Sequence, residues 1–186
     1  MSDGQFYNDL REPFTSTDQP SVTLASTNKA LYGPSAFPVL GGQYWARPGK
    51  AMRIVLFGRI TTAVTPGNGQ FAVYYGSGAD ATGTILVQSG ALALTASQTN
   101  LSWSASFDVH CRTTGSAGTL FCIGEAKFNV GVVSNTLAPM LIPPSAPVVS
   151  AAVDLTAANI ISVQFNRSGS TAETMQVHLI RVISLN

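Results

Sequence analysis

Two histidines, two cysteines and nine carboxylates are the side chains of this 186-residue chain that could carry chemistry, and their spacing decides of what kind. A catalytic histidine needs an orienting acid and a nucleophile close in space. His110 and His178 both fall on the polar side of strand-like stretches, and no G-x-S-x-G elbow accompanies them; Gly76-Ser77-Gly78 lacks the pattern. Both read as solvent-facing strand histidines. Metal binding needs clustered His, Cys or carboxylates, whereas His110 and Cys111 point to opposite faces and no H-x-x-x-H, C-x-x-C or D-x-D run occurs. No metal and no cofactor is expected. Pro66-Gly67-Asn68-Gly69 is followed by neither a Lys-Ser pair nor a helical pattern, so it reads as a hairpin turn rather than a phosphate cradle.

Paired carboxylates are the remaining route to catalysis. If the chain turns symmetrically about Ser116 and Ala117, Asp108 faces Glu125, the two-carboxylate arrangement of many glycosidases. Arg112 and Lys127 share that face, which favours a mixed-charge surface, and the chain is expected not to be an enzyme. The same register sets Cys111 opposite Cys122, with Cβ atoms within about 5.5 Å. A disulfide is conceivable there. Two buried thiols packed against Trp103 and Phe107 are the preferred reading.

The elements that must position these residues are strands. From Lys50 onward, Gly, Pro, Asn and Ser clusters separate stretches of period-2 alternation, giving eight predicted strands: 53–62, 70–76, 84–89, 101–113, 119–133, 148–153, 160–166 and 174–183. The clearest is the fourth, where Leu101, Trp103, Ala105, Phe107, Val109 and Cys111 alternate with Ser102, Ser104, Ser106, Asp108, His110 and Arg112. One apolar and one polar face is antiparallel-sheet behaviour. The next strand continues it across Thr114-Gly115-Ser116-Ala117-Gly118 as a long hairpin. No segment shows a helical stripe, although 89–100 has room for one short turn. Eight antiparallel strands without crossover helices predict an all-β, two-sheet sandwich, with an eight-stranded jelly roll as the favoured winding.

Composition bounds the function. Only 10% of residues are charged, where about 25% is usual, while Ser and Thr fill 37 positions and the formal net charge is +1. A surface so poor in charge risks self-association, which is resolved if partner subunits cover it. The neutral total makes neither nucleic acid nor an acidic membrane an expected partner. The amino terminus has no apolar run of signal-peptide length and no window reaches 18 uninterrupted apolar residues, so synthesis in a reducing host cytoplasm is expected.

Residues 1–49 differ from the rest, with five prolines, scattered aromatics and one short strand-like piece at 21–25. They are expected to form an extended arm, with the sandwich domain spanning 50–186. Phe6, Tyr7, Phe14, Tyr32 and Trp45 are its expected partner-binding anchors, since aromatics dominate interface energetics.

The stretch Trp45-Ala46-Arg47-Pro48-Gly49-Lys50, the strand carrying Trp103, the run from Cys111 to Thr119 and Gly124 together resemble small β-sandwich virion proteins of tailed bacteriophages, among them capsid decoration or cement proteins and related head or tail accessory proteins. The resemblance covers about residues 45–130. It implies a jelly-roll-like domain, often a homotrimer, held on a major capsid protein or another virion subunit by a terminal arm. The expected function is thus that of a structural virion protein, located in the virion. A receptor- or glycan-binding tail-fibre module, reading its ligand with the 75–84 loop, is the first alternative, and the jelly-roll coat protein of a small virus the second.

Overall fold

A computed structural model describes residues 18–129, 131–132, 139–169 and 172–185. It has eleven strands in chain order: β1 (Val22–Thr23), β2 (Lys29–Ala30), β3 (Ala51–Thr61), β4 (Asn68–Gly76), β5 (Thr84–Gln88), β6 (Leu92–Ala93), β7 (Leu101–Thr113), β8 (Thr119–Phe128), β9 (Met140–Ile142), β10 (Ile160–Arg167) and β11 (Thr174–Ser184). A six-stranded sheet runs β1-β11-β3-β7-β8-β9; the opposing sheet runs β2-β10-β4-β5, with β6 also on β4. Every pairing is antiparallel. The result is the all-β two-sheet sandwich that the alternation predicts.

The winding follows from which strands meet. Setting aside β6, β8 and β9, the first strand pairs with the last (β1 with β11), the second with the second-last (β2 with β10), the third with the third-last (β3 with β7), and the middle two with each other (β4 with β5). That nested pairing is how a jelly roll is rolled up. Its first two strands lie at 22–23 and 29–30, inside the stretch expected to be an arm. Residues 18–49 therefore belong to the sandwich, contributing Leu24, Leu31, Tyr32, Phe37, Leu40 and Trp45 to its core. Residues 1–17, the rest of the expected arm, lie outside the described residues.

The alternation of β7 does what its pattern requires. Trp103, Ala105, Phe107, Val109 and Cys111 point inward and are buried. Trp103 and Phe107 meet Phe71 of the opposite sheet at 5.7 Å and 6.3 Å between rings, and Phe71 packs 4.7 Å from Phe165 of its own sheet. Gly58 gives room for this packing: a Cβ there would sit 2.9 Å from the Trp103 ring and 2.1 Å from the Gln176 carbonyl.

Three expectations are corrected. The 148–153 stretch is not a strand; single bridges join Val149 to Phe121 of β8 and Val153 to Gly118 just before it, and between them the Ser150 amide donates to the Leu120 carbonyl. The 89–100 segment holds β6 and no helical turn, whereas the short 3₁₀ turn occurs at Pro34–Ala36. The β7–β8 register also differs by two residues, because Thr113 pairs with Thr119 and a bulge between Cys111 and Thr113 adds one more step. Glu125 thus faces Ser106, Asp108 faces Ile123, and Cys111 faces Leu120 rather than Cys122. A two-residue slip preserves which face each side chain occupies, so the faces hold while the partners change. Both cysteines are buried as free thiols.

Candidate binding face on the six-stranded sheet

The outer face of the six-stranded sheet collects most of the singled-out polar residues. From β3 it presents Arg53, Val55, Phe57 and Arg59; from β7, Ser104, Ser106, Asp108 and His110; from β8, Ile123, Glu125 and Lys127. Two ion pairs on it close within the subunit. Arg53 donates through Nε and a terminal nitrogen to both oxygens of Asp108 at 2.6 Å, and this bond raises the guanidinium pKa further. Lys127 lies 3.2 Å from Glu125. Asp108 and Glu125 do line one groove of about 490 Å³, together with Ile123, Leu141 and Pro143. A glycosidase needs one carboxyl held protonated and the other free to attack or to activate water. Here each carboxylate has a cation against it, which fits an ion-paired surface.

His178 lies at a β-bulge in β11, between Val177 and Leu179. A bulge re-aims its side chain. The imidazole Nδ1 lies 2.6 Å from Asp18, and its Nε2 accepts from Arg59 Nε at 2.7 Å. An orienting acid is thus present, but the nitrogen that would take a proton from a nucleophile is occupied. The contact instead fastens the start of the described chain to β11, as does the Gln19 amide donating to Val177. No sequence pattern marks this pairing, because Asp18 and His178 are 160 positions apart. Among the described residues, no group of three or more His, Cys, Asp or Glu is placed to hold a metal ion, and no helix is long and apolar enough to cross a membrane.

The expected anchors divide. Tyr32 and Trp45 are only 3% and 1% exposed, so they are core residues of this chain and present nothing to a partner. Tyr32 lies flat inside the sandwich, its hydroxyl donating to the Ile161 carbonyl and accepting from the Val163 amide. Phe6, Tyr7 and Phe14 lie outside the described residues. In the 75–84 loop, Tyr75 is buried, Asp80 binds Lys29 at 2.7 Å and the Ala81 amide donates to Gln164.

What sequence reasoning missed is apolar. Phe57, Ile123, Leu141 and Ile183 stand outward on the six-stranded sheet with 44%, 37%, 68% and 41% of their surface exposed. Several large apolar side chains exposed on one sheet face point to a contact surface. The signal was legible in part: Val55, Phe57, Ile123 and Ile183 occupy positions of the alternation where a solvated strand would carry polar residues.

No protein-family model and no curated protein matches the chain. Among solved structures the chain is similar to the crystal structure of the botulinum neurotoxin serotype C1 binding domain, at 11% identity over 74% of this chain, with a TM-score of 0.24. The chain covers 34% of that structure's length. A TM-score so low carries no argument about what this chain does.

Proposed function

We propose that the chain is a structural virion protein: a jelly-roll subunit that attaches to the capsid lattice and associates with its neighbours through the outer face of its six-stranded sheet. The observation that carries this reading is that face, where outward apolar residues stand among two ion pairs closed within the subunit. Such a surface loses apolar exposure when covered. The attachment segment is narrowed to residues 1–17, with Phe6, Tyr7 and Phe14 as its aromatic anchors, since Tyr32 and Trp45 are used by the core. Each added tether multiplies avidity across the lattice.

The nested winding also suits the second alternative, a coat protein that builds the shell of a small virus. Residues 1–17 carry Arg11 against Asp3, Asp9 and Glu12, so a genome-binding arm is not favoured. The tail-fibre alternative has less support, because the 75–84 loop is tied to Lys29 and Gln164 and its tyrosine is buried. Quantitative mass spectrometry of purified particles from the chain's source tests the proposal. The chain is expected at fixed stoichiometry to the major capsid protein, and to be lost from particles when residues 1–17 are removed. Its absence from particles contradicts the reading.

A further inference from the structure

Reading across the outer face in register gives three rows. Arg181, Val55, Ser106 and Glu125 form the first; Ile183, Arg53, Asp108 and Ile123 the second; Leu179, Phe57, Ser104 and Lys127 the third. Each row runs through β11, β3, β7 and β8 in that order. Their midline falls between β3 and β7.

We propose that this face is the dimer interface of the protein, two copies packing sheet against sheet about a two-fold axis that runs parallel to the strands between β3 and β7. The proposal deepens the assembly reading above by naming the partner of that face as a second copy. Rotation about such an axis lays each row on its own reverse. Arg181 then meets Glu125 of the second copy, Arg53 meets Asp108, and Ile183 meets Ile123. A two-fold axis running instead across the strands along the first row would put Arg181 on Arg181 and Glu125 on Glu125. Like charges so placed are repulsive. The first and second rows are complementary to themselves in one orientation.

Three further observations fit. Arg181 is exposed and has no ion-pair partner among the described residues, so a cation is left over where the second copy supplies a carboxylate. The β11 side chains would enter the partner's groove of about 490 Å³, which Ile123, Glu125 and Leu141 line. Four strands about 4.8 Å apart, each about ten residues long, present roughly 650 Å² per copy, or roughly 1,300 Å² for the pair, within the range of specific interfaces. Aligned sheets cross at about 30°, which at about 7 Å from the axis displaces a partner by about 4 Å, within reach of an arginine.

Light scattering of the full chain, with charge-reversed variants, tests this. The wild type is expected as a dimer. Arg181→Glu and Glu125→Arg should each raise the dissociation constant at least tenfold, and the double exchange should restore the dimer, with thermal melts confirming that all three variants fold. A wild type that stays monomeric or forms a trimer overturns the pairing, as do single variants that dimerise like the wild type or a double exchange that recovers nothing. The two readings fail separately: a monomer that still co-purifies with particles overturns the pairing alone, whereas a dimer absent from particles overturns the virion role alone.

Discussion

At the scale of single residues, the side chains that matter most to the fold are two whose charges are hidden. Arg167 and Glu173 lie 2.6 Å apart with 9% and 0% of their side chains exposed, and Arg167 also donates to the Leu24 carbonyl. Removing one partner strands a buried charge, at a cost of about 3–5 kcal/mol, whereas replacing both with apolar residues is often close to neutral. Denaturant unfolding of Glu173→Ala should therefore show a loss of that size, and the Arg167→Met, Glu173→Leu double variant a smaller one. An equal or larger loss in the double variant would contradict the account. A second residue sets an acid limit. Burial pushes the Asp80 carboxyl upward, but the Lys29 hydrogen bond, the Ala30 amide and the Lys29 charge outweigh it and hold the pKa below the usual carboxylate value. A depressed carboxylate stabilises the fold above its unfolded pKa of about 3.9 and loses that contribution as pH falls through the folded value. The difference in melting temperature between wild type and Asp80→Asn should thus shrink between pH 7 and pH 3; a constant difference would mean the Lys29 contact contributes nothing.

At the scale of elements, the consequential strands are β1 and β2, two of the three that are only two residues long. Removing residues 1–45 deletes β1 and β2 and takes out Leu24, Leu31, Tyr32, Phe37, Leu40 and Trp45. At about 1.5–3 kcal/mol for each buried side chain, six such losses match or exceed the whole stability of an ordinary domain, about 5–15 kcal/mol. A chain lacking residues 1–45 should fail to fold by circular dichroism, while one lacking 1–17 should melt cooperatively like the full chain. A folded 46–186 fragment would show that the leading strands are ornaments. β1 falls within the strand-like piece read at 21–25, whereas β2 was hidden because two residues are too few for a period to register and proline-rich surroundings read as an extension. The long strands were legible: β7 spans 101–113, where its alternation puts it. The bulges after Cys111 and Val177 were not, since an extra residue leaves no compositional mark yet moves every partner beyond it. For the same reason the outward face was readable residue by residue, while the Arg53–Asp108 pair upon it, set by register between strands distant in the chain, was not.

At the scale of the whole molecule, low charge and a wound sandwich acquire one meaning. With 10% charged residues, and with the ion pairs of the outer face closed within the subunit, there is little long-range field to steer a substrate or grip a nucleic acid. What remains is shape and apolar area on the six-stranded sheet. Neighbours are proposed to cover this face in the working state. Hydroxyl-radical footprinting of the assembled protein, read at Phe57, Leu141 and Ile183 by mass spectrometry against the Arg181→Glu variant, tests it most directly. The account expects those three residues to be labelled several-fold less in the wild-type assembly than in the charge-reversed variant. Equal labelling in both would mean that the face stands open to water, and would contradict it.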